Sequence, residues 1–134
     1  MSSFTVDSDD KQHISDSLAR LHSISTVNHV EFGVKGTGFM TWNAALVTKE
    51  FLKRKRLHKK HSPPLKILDV SSGNGFLTLA AACMGARVYS TECGDLALNL
   101  LKANIAHNSD KFPIVPIPIE YTWGESTTAL ENQM

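Results

Sequence analysis

Cysteine is scarce in this sequence, with only Cys83 and Cys93 in 134 residues, and neither belongs to a CxxC or a Cys/His spacing. The six histidines are dispersed or lie within a basic run. A disulfide framework and a structural zinc site both need partners at short, recurrent spacings. We therefore expect reduced thiols and no metal site.

Long apolar runs are also missing. None approaches the roughly 20 residues that a membrane-spanning helix needs. The polar start, MSSFTVDSDDKQ, has no apolar core of the kind found in a signal peptide. With 42% hydrophobic residues, 20% charged residues and a net charge of +1, the composition predicts an ordinary soluble protein of the cytoplasm, with no membrane partner.

The segment from Lys66 to Glu92, KILDVSSGNGFLTLAAACMGARVYSTE, is the most informative part of the chain. Its apolar run 67–70, which two upstream prolines separate from any preceding helix, is typical of a strand buried in a parallel sheet. A glycine-rich turn, an apolar helix and a second strand follow. Asp69 ends the first strand and Glu92 ends the second, 23 positions later. This unit predicts half of a nucleoside site, in which the second acid accepts the ribose hydroxyls.

Two glycine patterns can be aligned with the turn. The dinucleotide fingerprint G-x-G-x-x-G falls on Ser71, Gly73 and Phe76, so one glycine of three is present. The pattern acid-x-G-x-G-x-G falls on Asp69, Ser71, Gly73 and Gly75, so three places of four match. The second pattern resembles motif I of the class I S-adenosylmethionine methyltransferases, and it is favoured over the first.

Two flanking segments narrow the resemblance. GTGFMTWNAALVTKEFL, from Gly36 to Leu52, resembles the G-x-x-x-W-[DE]-A-A-x-x-L segment of the seven-strand protein-lysine methyltransferases that modify chaperones and translation elongation factors. IPIEYTWGES, from Ile117 to Ser126, resembles the third strand of that family. The chain thus resembles the methyltransferase-like 21 and elongation-factor lysine methyltransferase type. This implies S-adenosylmethionine as cofactor, and a chaperone or elongation factor as protein substrate.

The resemblance also implies which residues hold the cofactor. Trp42 would contact it, the 71–73 backbone would cradle its methionine part, Glu92 would hold the ribose, and Trp123 would lie against the adenine. Ser71 replaces the motif's glycine and would crowd the methionine end, while Asn43 replaces an acid. No catalytic residue is assigned. The predicted cofactor-binding residues are Trp42, Asp69, Ser71, Ser72, Gly73, Gly75, Glu92 and Trp123.

The implied fold is an α/β, Rossmann-like class I methyltransferase fold, of which we expect only the N-terminal part, truncated after the third strand. The fourth-strand acidic motif and the lysine channel of the family do not follow Trp123 in this sequence. The third strand is predicted at an edge, because Pro116 and Pro118 interrupt it. Strands are predicted over 67–70, 87–91 and 114–120.

Outside the strands, the apolar spacing predicts helices over 41–52, with Thr41 as a possible cap, and over 96–107, with Asp95 as a possible cap. The start of the chain is either a short amphipathic helix or a mobile arm. We expect a polar N-terminal arm over 1–25, the N-terminal half of the cofactor-binding domain over 26–126, and a polar tail over 127–134.

The run KRKRLHKKH, from Lys53 to His61, holds six of the 14 basic residues. One interpretation is a nuclear-localisation signal or a nucleic-acid-binding patch. The plainer interpretation is the solvated end of the preceding helix, where cations lie near the negative C-terminus of the helix. Nucleic acid is not the expected partner, because no aromatic residues are interleaved. Two other functions remain open: a truncated, non-catalytic pseudo-methyltransferase acting as a binding module, and a nucleotide- or nucleic-acid-binding Rossmann module.

Overall fold

The computed structural model describes residues 8–27, 40–55 and 60–134. Five α-helices, one short 3-10 helix and three strands are found there. In chain order they are α1 (Ser8–His22), α2 (Asn43–Arg54), β1 (Lys66–Asp69), α3 (Phe76–Cys83), β2 (Arg87–Glu92), α4 (Asp95–His107), the 3-10 turn Ser109–Lys111, β3 (Ile117–Glu120) and α5 (Thr128–Gln133).

The three strands form one parallel sheet in the order β1-β2-β3. Asp69 at the end of β1 pairs with Ser90, and Glu92 at the end of β2 pairs with Glu120 of β3. Helices connect the parallel strands, as their geometry requires. The predicted α/β, Rossmann-like organisation is confirmed, and both acids lie at the carboxyl edge of the sheet, where such folds bind ligands.

The core is built around α3, whose alanine-rich sequence is apolar on all sides. A helix of this kind is stable only when it is covered all round. One group of α3 residues packs against α1 and the sheet, and Leu79 packs against α4. Because α3 is enclosed, the turn that leads into it has a fixed position. The fully buried side chains of α3 are Thr78, Leu79, Ala80, Ala82 and Cys83.

The third strand is shorter than predicted, running over Ile117–Glu120 rather than from residue 114. Pro113 and Pro116 have no amide hydrogen to donate to a ladder, which explains the late start. Pro118 is tolerated within the strand, opposite Ser90, because β3 lies at an edge of the described sheet.

Two predicted helix caps are wrong. The residue before α2 is Trp42, not Thr41, and the Thr41 hydroxyl instead accepts a hydrogen bond from the side chain of Asn74 at 2.7 Å. The residue before α4 is Gly94, and Asp95 lies inside the first turn, where its charge still favours the positive end of the helix. The predicted end of α4 at Asn108 is confirmed.

The two terminal segments contribute helices that touch the core. Leu21 of α1 is buried, and the Arg20 guanidinium donates from Nε to the carbonyl of Cys83 at 3.0 Å. In α5, Leu130 packs on Tyr89 and Ile119. The division of the chain at 1–25, 26–126 and 127–134 remains a prediction, and residues 1–7 lie outside the described part. Among the helices described, none has the length and apolar character to cross a membrane.

Exposed apolar side chains occur on α2 and on β1, the strand at one side of the described sheet. No strand among the described residues pairs with β1 on that side. Val47 is 70% exposed and Phe51 55% exposed, and no residue of α2 is buried. We call Leu46, Val47, Phe51 and Leu68 the α2–β1 surface.

Candidate functional site

The turn between β1 and α3 holds three residues with positive φ. Ser71 has φ 58°, Gly73 φ 59° and Gly75 φ 85°. These are the three positions that motif I assigns to glycine, and the left-handed conformation is the physical reason, since glycine adopts it without steric cost. Ser71 is the only non-glycine residue with positive φ among those described.

Gly75 is required for a second reason. A Cβ placed on it would lie 2.7 Å from Cδ1 of Leu101, a fully buried side chain of α4. Because that neighbour is enclosed in the core, it cannot move away. Gly75 therefore fixes the close approach of α4 to the start of α3.

Three consecutive backbone amides of the turn donate hydrogen bonds to the end of β2. Ser71 N donates to the hydroxyl of Thr91 at 3.3 Å, and Ser72 N donates to the Thr91 carbonyl at 2.9 Å. Gly73 N donates to Oε2 of Glu92 at 2.8 Å. The shape of the turn is thus set by the second strand.

Glu92 is a structural acceptor in this site. While Oε2 receives the Gly73 amide, Oε1 accepts the amide of Cys93 at 3.0 Å. A carboxylate offers about four acceptor positions. Two bonds to amides therefore leave capacity for the hydroxyls of a ligand.

Asp69 stabilises the turn through hydrogen bonds. Its Oδ2 accepts the Thr78 hydroxyl at 2.6 Å, and its carbonyl accepts the Ser72 hydroxyl at 3.0 Å. Burial raises the pKa of Asp69, the Thr78 hydrogen bond opposes that shift, and the negative charge of Glu92 adds to it. Asp69 thus links the turn to α3 and contributes an acid to the wall of the site.

A cavity of about 320 Å³ lies between this turn and the start of α2. Its walls include five of the predicted residues, Trp42, Asp69, Ser71, Ser72 and Gly73. The remaining three, Gly75, Glu92 and Trp123, are not part of the wall. Glu92 adjoins it through the Gly73 amide, and Trp123, after β3, is 71% exposed. The part of the Gly36–Leu52 segment before residue 40 lies outside the described residues.

Asn74 is a residue that the sequence reasoning did not single out. Its side-chain amide donates to Thr41 beside Trp42, and its Oδ1 accepts the amide of Phe76 at 3.1 Å. Its carbonyl accepts the side chain of Asn104 at 2.7 Å. The asparagine thus ties the two walls of the cavity together. The available signal was an asparagine between two turn glycines, where its side chain can bond locally.

Asn104 extends this network into α4. It is fully buried, and its Oδ1 accepts the amide of Val27 at 2.7 Å. One turn later, the side chain of Asn108 donates to the carbonyl of Ser25 at 2.7 Å. Buried amides of this kind are retained when every group has a partner. The network positions the segment before residue 28 against the same helix that supports the turn.

The arrangement suits a ligand that has a nucleoside at one end and a positive charge at the other. Two carboxylates stand at the carboxyl edge of a parallel sheet, a glycine turn lets the backbone approach a ligand, and an indole borders the opening. Small-molecule sites are concave and combine apolar walls with a few fixed polar groups. Fold and site together define a Rossmann-like α/β protein of the class I methyltransferase type.

Comparison with known proteins agrees with this class. A sequence profile described as lysine methyltransferase matches residues 24–133. The protein N-lysine methyltransferase METTL21A of Xenopus tropicalis is 29% identical over 120 residues, covering 82% of this chain and 54% of the relative. The protein-lysine methyltransferase METTL21E of Mus musculus is 29% identical over 135 residues, covering 88% and 54%. The ribosomal protein L11 methyltransferase of Geotalea uraniireducens is 36% identical over 74 residues, covering 54% and 21%.

The chain belongs to the lysine methyltransferase family, which confirms the family predicted from the motifs. It spans about half the length of the METTL21A and METTL21E relatives that it matches.

Proposed function

We propose that this chain binds S-adenosylmethionine in the cavity between Trp42 and the 71–75 turn, and that it forms the cofactor-binding part of a protein-lysine N-methyltransferase. The observation that carries the proposal is the convergence of the Trp42 segment, the positive-φ turn and Glu92 at one edge of the sheet. Relatives named protein-lysine methyltransferases support it. A chaperone or a translation elongation factor in the cytoplasm is the proposed substrate.

The donor set fits this cofactor. Asp69 and Glu92 provide negative charge near a ligand that carries a sulfonium and an ammonium group, and free acceptor positions on Glu92 suit ribose hydroxyls. The cavity volume of about 320 Å³ lies at the lower end of the range for small-molecule sites, about 300–1,000 Å³. When bound, S-adenosylmethionine would supply an activated methyl group for transfer to a neutral lysine amine, leaving S-adenosylhomocysteine and a proton.

The residues of this chain would act by binding and orienting. The amides of 71–73 are fixed by β2, so the turn presents one shape, and Asn74 holds Trp42 against it through Thr41. Positioning of this kind contributes most of what a methyl-transfer site needs. No catalytic acid or base is assigned to this chain.

The direct test is calorimetric titration of the chain with S-adenosylmethionine and S-adenosylhomocysteine, followed by transfer of labelled methyl groups to purified chaperones and elongation factors. Binding of both ligands supports the cofactor assignment. Binding without transfer to any substrate favours the alternative of a non-catalytic binding module. Absence of binding, together with salt-dependent RNA binding, would instead favour the nucleic-acid module suggested by the Lys53–His61 run, of which 56–59 lie outside the described residues.

Replacement of Ser71 by glycine is expected to stabilise the protein by up to about 1.6 kcal/mol. The left-handed conformation costs a side-chain-bearing residue roughly 1–2 kcal/mol. Against this stands an entropy gain of the unfolded chain of about 0.4–1 kcal/mol. Cofactor affinity should stay the same or rise, because a side chain is removed from the cavity wall. Thermal unfolding and calorimetry measure the two effects.

Ser72→Gly is the matched control. Ser72 has no positive φ, and its hydroxyl donates to the Asp69 carbonyl, so the same substitution should destabilise the fold. A clear loss of cofactor affinity in Ser71→Gly, with an unchanged circular dichroism spectrum, would show that the Ser71 hydroxyl is itself a ligand.

A further inference from the structure

A second cavity lies at the opposite edge of the sheet, where the strands begin. Its volume is about 170 Å³, and it shares no wall residue with the cavity beside Trp42. Residues just before each of the three strands border it, together with the end of α3 and one side chain of α1. The wall residues that matter here are His13, Lys60, His61, Leu65, Met84 and Ile114.

His13 contributes an imidazole nitrogen without a partner. Its Nε2 is buried and makes no hydrogen bond to any residue that the structure describes. The ring lies over Gly85, where an added Cβ would be 3.6 Å from Cε1 and 3.7 Å from Nε2. An unpaired buried polar atom is costly and calls for a partner. His13 is one of the residues that form the wall of the cavity.

The surroundings of His13 are predominantly cationic. Lys60 and His61 border the cavity directly. Burial lowers the pKa of His13, and the charges of Arg20 and Lys60 lower it further, whereas the smaller effects of two acids oppose this. The neutral imidazole therefore predominates at neutral pH, in a field that attracts anions. The acids facing His13 are Asp10 and Asp16.

The rest of the wall is apolar and the space is small. Leu65, Met84 and Ile114 contribute hydrocarbon surface. The volume corresponds to several water molecules, at about 30 Å³ each, and is below that of a typical cofactor site. An occupant would therefore combine one acidic group with a short aliphatic chain.

We propose that this cavity binds a small organic acid, whose carboxylate lies between His13 Nε2 and the Lys60 ammonium and whose aliphatic chain packs on Leu65, Met84 and Ile114. The carboxylate supplies the acceptor that a protonated or N–H-bearing imidazole lacks, and it neutralises the local positive charge. This site is independent of the proposed cofactor site.

The probe is butyrate, which is titrated into a solution of the chain. Long-range proton–nitrogen spectra report on the histidine rings, and sodium chloride at matched ionic strength is the reference. Saturable shifts are expected at His13, and its pKa should rise when butyrate binds. Acetate, which is shorter by two methylene groups, should bind about tenfold more weakly.

Two variants test the polar contacts, each with a matched control. His13→Asn and Lys60→Gln should each weaken butyrate binding by about tenfold, since each removes a hydrogen bond to a charged group. His22→Asn in α1 and Lys102→Gln in α4 lie outside the cavity wall and should leave it unchanged. Lys60 is exposed, so Lys60→Gln remains informative even where His13→Asn fails to fold. A response equal to that of chloride, or affinity unchanged in Lys60→Gln, overturns the proposal.

Discussion

Glu92→Ala is expected to weaken S-adenosylmethionine binding by about 1.5–3 kcal/mol, roughly 10- to 150-fold, which is the scale of a hydrogen bond to a charged group. Two effects act together. The variant loses the proposed acceptor of the ribose hydroxyls, and it also releases the Gly73 amide that Oε2 now holds at 2.8 Å. Calorimetric titration measures the affinity, and hydrogen exchange at Gly73 reports on the turn.

Glu120→Ala is the control for this variant. Glu120 is the register partner of Glu92 in β3, is exposed, and makes no hydrogen bond with the 71–75 turn in the described part of the chain. Its removal changes the charge at the same sheet edge without touching the turn. Equal affinities for the two variants would show that Glu92 does not hold the ribose. Glu92→Gln keeps one oxygen for the Gly73 amide and should fall between the wild type and Glu92→Ala.

The 134-residue chain expressed by itself is expected to self-associate and to transfer few or no methyl groups. Among the described residues no strand pairs with the outer side of β1, which leaves backbone donors and acceptors there without a partner strand, and the α2–β1 surface is apolar. Both features are known causes of association. Sedimentation velocity and a labelled S-adenosylmethionine assay measure the two outcomes.

Val47→Lys tests whether the α2–β1 surface is responsible. Val47 is 70% exposed, so a lysine there should not disturb the core, and it should shift the chain toward the monomer. Leu96→Lys is the control, because Leu96 is 55% exposed on α4, outside this surface. A stable monomer with robust turnover would show instead that these residues are sufficient for methyl transfer.

The sequence predicted the features of the site that depend on local pattern. The apolar run 67–70 and the second strand after the helix placed Asp69 and Glu92 at the ends of neighbouring strands, and β1 and β2 pair in that way. The glycine pattern predicted the turn, together with the positive φ that glycine allows. At Ser71 the sequence predicted crowding of the ligand, and the structure shows in addition that the serine itself is left-handed.

Contacts between distant segments were beyond sequence reasoning. The bond between Asn74 and Thr41, which uses the hydroxyl that was predicted to cap α2, depends on two residues 33 positions apart. The bond between Asn104 and the Asn74 carbonyl depends on how α4 packs on the sheet. Neither has a local signature. The placement of Trp123 against an adenine remains a prediction, because it depends on a ligand and a side chain that is largely exposed.

The three amides of 71–73 that bond to the end of β2 have an entropic consequence. Fixing the backbone of one residue costs about 1–2 kcal/mol, and a flexible loop incurs that cost each time it closes on a ligand. In this fold the cost for three residues is met when the chain folds, because Thr91 and Glu92 hold the turn through hydrogen bonds within the protein. The interaction energy of a ligand is thus available for affinity rather than for ordering a loop.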